Sequence, residues 1–116
     1  MLARQLRLAK EKDFKKIFKR GKASYAKIFR VKVLANKLEV NRYGIIINSN
    51  VSKKAVERNK LKRQFRAAIK EFDKKLTHGF DLVIIVSPAA LNQKYEFIKS
   101  ELKKILFILK LFELDQ

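Results

Sequence analysis

Residues 52–76 read SKKAVERNKLKRQFRAAIKEFDKKL, and the spacing of apolar residues in this stretch decides how the rest of the chain can fold. At about 100° per residue, Leu61, Phe65, Ala68, Ile69, Phe72 and Leu76 fall within one stripe roughly 100° wide. That predicts an amphipathic helix with one face committed to a core. Ser52 is placed to act as its N-cap, and His78-Gly79 ends it. A short apolar run, Tyr43 to Ile47, precedes the helix, and another, Phe80 to Val86 (FDLVIIV), follows it and stops at Ser87-Pro88. Such runs read as buried strands, and the first is expected at a central position. Two strands joined through a long helix are expected to form a parallel pair or a split unit in a small mixed sheet.

Working outward, residues 23–35 read as one strand, with Phe29, Val31 and Val33 alternating with Arg30 and Lys32. Residues 36–42 form a polar connection. Residues 10–20 (KEKDFKKIFKR) read as a short helix with Phe14, Ile17 and Phe18 on one side and Gly21 as its C′ residue. Lys94 to about Leu114 reads as a last helix with Ile98, Leu102, Ile105, Leu106 and Leu109 on one face. Phe107, Ile108 and Leu111 fall off that face, which predicts packing against the N-terminal arm or weak self-association. The expectation is a basic arm (1–9) and a single domain (10–116). The element order α-β-β-α-β-α makes that domain α+β, a small mixed sheet with its helices on one side.

Composition narrows the function. The 116 residues suit one domain, and 47% hydrophobic content with nine Phe supplies a core, so a disordered basic tail is excluded. Lys and Arg number 29 against 11 Asp and Glu, a net charge of +18 that favours a polyanionic partner. With no Cys there is no disulfide, thiolate metal site or thiol nucleophile, and His78 is the single imidazole. Asp13, Glu39, Glu57, Glu71, Asp73 and Asp81 are dispersed among lysines, so neither a catalytic residue nor a protein-held metal is expected. Met1 to Lys10 lacks the apolar core of a secretory signal. Ile105 to Leu114 is too short for a bilayer core of about 30 Å. A cytoplasmic protein without a membrane partner is expected.

The polar side of the helix is the informative one. Arg58, Lys62 and Arg66 recur every four residues, and Asn59, Arg63 and Lys70 lie alongside, within a sector of about 140°. Like charges at i, i+4 cost about 0.2–0.5 kcal/mol per pair in an isolated helix. Only Glu57 and Glu71 flank the row, so a row of phosphates is the natural counter-charge. A solvated charged face would more often interleave Glu with Lys, and the row favours Arg, whose fork suits phosphate.

Ala55-x-x-Arg58-Asn59-x-x-Lys62-Arg63-x-x-Arg66 resembles the signature helix of the bacterial ribonuclease P protein component. Leu6-Arg7-Leu8 with Lys12-Asp13-Phe14-x-x-x-Phe18, Tyr43-Gly44-Ile45, and Phe80-Asp81-Leu82-Val83 leading to Pro88 are similar in order, so the resemblance spans roughly residues 6–109. It implies an α/β sandwich of the ribosomal protein S5 domain 2-like type with a left-handed βαβ crossover, where the general rule favours the right-handed one. It also implies a protein subunit that binds a catalytic RNA and the 5′ leader of precursor tRNA. The RNA would carry out the endonucleolytic removal of the leader with Mg2+, and the protein would hold no cofactor.

By the same resemblance, Arg58, Asn59, Lys62, Arg63 and Arg66 would contact the catalytic RNA, and Lys53, Lys54 and Lys70 extend that surface on physical grounds. Phe14 and Phe18 match aromatic positions lining a leader cleft, although ordinary core packing would also account for them. Arg30 and Lys32 would face the cleft by strand alternation, since stacking aromatics beside cations suit a single strand. Ser49-Asn50 stands where relatives commonly carry a Lys pair, Lys32 where some carry an aromatic, and Phe65 where a smaller aliphatic is more usual. The competing readings are a structural RNA binder, such as a ribosomal protein or RNA chaperone, and a DNA major-groove binder, which would normally need a dimer or a helix-turn-helix.

Overall fold

The apolar stripe of the long helix does what its period requires: Leu61, Phe65, Ala68, Ile69, Phe72 and Leu76 are all buried. The computed structural model describes residues 6–112. Its elements are α1 (Glu11–Arg20), β1 (Lys22–Tyr25), β2 (Phe29–Ala35), β3 (Arg42–Ile46), α2 (Ala55–Asp73), β4 (Phe80–Val86), a 3-10 turn (Pro88–Ala90) and α3 (Tyr95–Ile108). The strands form one mixed sheet in the order β1-β2-β4-β3. β2 pairs antiparallel with both β1 and β4, while β3 and β4, joined through α2, run parallel.

Strand alternation gives the sheet two faces. Phe29, Val31, Val33, Tyr43, Leu82, Ile84 and Val86 pack with α2 and α3 in the main core. There Phe65 meets Phe29 edge-on, with ring centres 5.6 Å apart, a geometry worth about 0.5–1.5 kcal/mol beyond area burial. Phe65 thus has an aromatic partner built into this core. The opposite face carries a smaller core in which Ile17 of α1 meets Leu8 and Val83, with Phe14, Leu34, Ile46 and Ile85 around them. The helices therefore cover both faces, contrary to the expectation of one. The reason is β4, apolar on both sides, which offers α1's narrow stripe a second surface.

Other boundaries move for physical reasons. The expected strand 23–35 is two strands and a turn. No Gly or Pro marks the turn, but Ile28 folds into the main core and its carbonyl accepts the Ser87 N–H at 2.9 Å. Tyr43 to Ile47 contributes an edge strand, and the inner strands are β2 and β4. β3 keeps its apolar character because its outer edge is covered: the Leu8 N–H donates to the Tyr43 carbonyl at 2.8 Å, and Arg7 pairs alongside. Ser52 does not cap α2. Its hydroxyl accepts the Lys54 N–H at 3.1 Å and bonds Glu57, and the helix starts at Ala55. Gly21 follows α1 in an extended conformation; its lack of a Cβ matters because one there would overlap the Ile17 carbonyl.

The last helix stops at Ile108, and the expected end near Leu114 lies outside the described residues. Lys110 takes a left-handed φ of 59°. The Leu111 and Lys110 N–H groups then bond the carbonyls of Leu106 and Phe107, both at 3.0 Å, the paired bonds of a Schellman ending. Leu111 is thereby turned into the main core rather than onto the arm, and Phe112 packs edge-on against Phe72. Phe107 and Ile108 remain exposed.

Two polar clamps hold the layers. Asp81, buried on β4, accepts both arms of the Arg42 fork at 2.9 and 2.7 Å and an Asn36 amide N–H at 2.8 Å. Arg42 also reaches Asp13 of α1 at 3.5 Å. On the other face the Tyr43 hydroxyl donates to Asp73 at the end of α2. Burial, and then the Asp73 carboxylate, raise this phenol above its ordinary value of 10.0. Above that pH the unfolded chain loses the proton while the folded chain keeps it, so stability falls as pH rises. Relative to Tyr43→Phe, the unfolding free energy should drop by about 1.4 kcal/mol per pH unit above about pH 10. Parallel urea-unfolding curves for the two proteins across that range would refute this.

Candidate nucleic-acid interface

The cations of α2 form two lanes. Arg58, Lys62 and Arg66 are half-buried, while Asn59, Arg63 and Lys70 are exposed, as are Lys53 and Lys54 in the loop before the helix. Among the described residues no carboxylate forms an ion pair with any of these cations; the ion pairs lie elsewhere. The nearby acids are engaged otherwise: Glu57 with Ser52, Glu71 with Tyr95 and Lys99, Asp73 with Tyr43. Arg58 donates to the Ser52 carbonyl at 2.8 Å, which orients the guanidinium without neutralising it. Burial, and then the charge of Arg7, pull Arg66 below the ordinary guanidinium value. A phosphate beside these two cations would offset both effects.

Sheet register builds a second surface. Gly44, Val83 and Lys32 are partners across β3, β4 and β2, and α1 lies across this row. The Phe14 ring rests on Gly44, where a Cβ would come within 2.7 Å of it. Ile17 packs with Val83. Lys32 Nζ donates to the Phe18 carbonyl at 2.7 Å and sits 5.7 Å from the Phe18 ring centre. The next row, Ile46, Ile85 and Arg30, lies beside α1, which covers it only in part: Ile46 and Ile85 pack against the Ile17 core. Arg30 is exposed, Ile46 and Ile85 are half-buried, and Phe18 is 39% exposed. The result is a trough with an apolar and cationic floor and an aromatic wall.

The trough opens at its β3 end toward α2. There a hollow of about 310 Å³ is lined by Phe14, Gly44, Ile45, Arg7, Lys62 and Arg66. Phe14, Phe18, Arg30 and Lys32, expected together from the sequence, are brought to one face, and Lys62 and Arg66 of α2 share this hollow with Phe14. Lys32 differs from expectation in one respect: one of its N–H groups closes the end of α1. Sequence reasoning did not pick out Arg7, Ile46 and Ile85. The alternation of β3 and β4 carries the signal for the last two, but both strands look uniformly apolar, and only the position of α1 leaves these residues partly open.

Among the described residues no group of three or more His, Asp or Glu could hold a metal ion. His78 is exposed, with Nε2 3.2 Å from the Asp73 carbonyl, at a helix end. Among the described residues, no helix is long and apolar enough to cross a membrane.

The family described as Ribonuclease P matches residues 2–110. A protein of a Synechocystis species named ribonuclease P protein component is 38% identical over 105 residues, which cover 90% of this chain and 85% of that protein. The protein of the same name from Clostridium botulinum is 32% identical over 101 residues, 86% of this chain and 90% of that one. Among solved structures, the RNase P protein of Staphylococcus aureus superposes with a TM-score of 0.85 at 29% identity, covering 93% of this chain and 98% of that one. That of Thermotoga maritima gives 0.79 at 30% identity, covering 86% and 94%.

Proposed function

The chain belongs to the ribonuclease P protein family, and on that premise we propose that it is the protein subunit of the ribonucleoprotein endoribonuclease that removes the 5′ leader of precursor tRNA. The α2 cations, with Lys53 and Lys54, lie against the phosphates of the catalytic RNA. The trough between α1 and the sheet holds the single-stranded leader, with Phe14 and Phe18 offering faces for stacking and Arg30 and Lys32 attracting the backbone. The observation that carries this reading is the adjacency of the two surfaces: an uncompensated cationic rail opens directly into an aromatic trough, so one protein can touch both RNAs at once.

The polypeptide serves as a scaffold and the RNA performs the cleavage. Asp13 and Asp81 are both held by Arg42, and Glu57, Glu71 and Asp73 have partners within the fold. This donor set suits neither a hydrolytic metal nor a general base, so Mg2+ is assigned to the RNA, where it would activate water and stabilise the leaving oxygen. The test is reconstitution with a bacterial ribonuclease P RNA. The protein alone should cleave nothing. Added to the RNA, it should lower the Mg2+ requirement and make precursor tRNA bind more tightly than mature tRNA. Unchanged leader affinity and cleavage would defeat the reading.

Gly44 gives a finer test. In Gly44→Ala the new Cβ overlaps the far end of the Phe14 ring, which must swing away from the trough wall. Leader-dependent affinity should fall by about fivefold or more, as expected when a stacking surface is removed, while affinity for the catalytic RNA holds. Circular dichroism should show the fold retained. Equal weakening for both RNAs would place Phe14 in the core alone.

A further inference from the structure

We propose that the hollow where the β1–β2 turn meets α3 is a second site for unpaired RNA, taking a nucleobase of the leader after the strand leaves the trough. The inference rests on the leader lying in the trough. Tyr25, the last residue of β1, pairs directly across from Arg30 and so continues the open row to the edge of the sheet. It is 71% exposed and has no hydrogen-bond partner among the described residues. It also borders a shallow hollow of about 380 Å³ with Lys27 on the turn and Lys104 and Ile108 on α3, a volume within the usual range of about 300–1,000 Å³ for small-ligand sites.

The chemistry of this hollow is that of single-strand recognition. Tyr25 and the 65%-exposed Ile108 supply apolar faces for a base, and Lys27 and Lys104 attract its phosphates. Glu101, also in the lining, is engaged by Lys104 at 3.3 Å, so its charge is offset locally. Isolated exposed apolar residues need no explanation. These two border one cavity together with Lys27 and Lys104, at the sheet edge where the row carrying Arg30 ends. The turn that carries Lys27 and follows Tyr25 is held in place: the Ala26 N–H donates to the Phe29 carbonyl, and the Ser87 N–H to the Ile28 carbonyl, both at 2.9 Å. A second copy of the chain is the poorer occupant, because each copy carries +18 and like fields repel.

The experiment uses holoenzyme reconstituted with ribonuclease P RNA and precursor tRNAs whose leaders increase in length. Tyr25→Ala should lower affinity for long-leader substrates by about tenfold, the usual scale for removal of a stacking platform, and Tyr25→Phe should restore it. Ile108→Asp should weaken long-leader binding and leave the shortest leaders unaffected. If neither Tyr25→Ala nor Ile108→Asp changes affinity at any length while Phe18→Ala does, this site is refuted and the trough stands. If precursor tRNA never outbinds mature tRNA, both readings fall. If Ile108→Asp instead alters the sedimentation of the protein without touching leader affinity, the hollow is a protein contact and the proposal is overturned.

Discussion

Replacing Lys62, Arg63 and Arg66 together with glutamine is expected to weaken binding of the catalytic RNA by about 100-fold at moderate salt, while the free protein becomes no less stable. The opposite signs follow from one fact: none of these cations has a carboxylate partner among the described residues. In the free protein they repel one another, and relieving an i, i+4 pair is worth about 0.2–0.5 kcal/mol. In the complex each neutralises a phosphate and releases counterions. The slope of log affinity against log salt should therefore flatten by about 0.9 for each duplex phosphate left without its cation. A salt titration of the triple variant whose slope matched that of the parent would remove α2 from the interface. A large drop in stability would show that the cations serve the fold.

Replacing Arg42 with Ala should have the largest effect on stability, about 3–5 kcal/mol, because it strands the buried Asp81 carboxylate without its counter-charge. The Asp81 hydrogen bonds raise the Arg42 guanidinium above its ordinary value, a sign of how strongly the two groups are matched. The functional consequence is directional. Arg42 is the group linking Asp81 on the sheet to Asp13 on α1, and α1 carries the Phe14 and Phe18 wall. At temperatures where the variant stays folded, discrimination for precursor over mature tRNA should fall more than affinity for the catalytic RNA. The double change Arg42→Met, Asp81→Leu should regain much of the stability but not the discrimination. A destabilisation below about 1 kcal/mol in urea unfolding of Arg42→Ala would mean that water already satisfies Asp81.

The α2 row is legible in the chain because helix period alone decides which side chains share a face. The Arg42 clamp is not, because Asp13, Arg42 and Asp81 come from three separate elements, and the unbroken apolar runs beside them conceal which strand lies at the edge. The single strand expected over residues 23–35 failed for a similar reason. Ala26 and Lys27 carry no turn signature, and the turn forms because Ile28 is drawn into the main core and its carbonyl is bonded by Ser87.

By itself the sequence determined the buried stripe of α2, its cationic side, and the family resemblance, all of which rest on local spacing; it left open whether the strands flanking α2 pair directly or form a split unit, and the sheet register made them a parallel pair. Only the tertiary structure decided that α1 crosses the sheet on the face opposite α2, that β3 is an edge sealed by Leu8, and that Arg30, with the half-buried Ile46 and Ile85, is left as a floor beside α1. Those outcomes depend on which distant apolar surfaces bury one another, and burial between elements far apart in the chain leaves no periodic mark on either one.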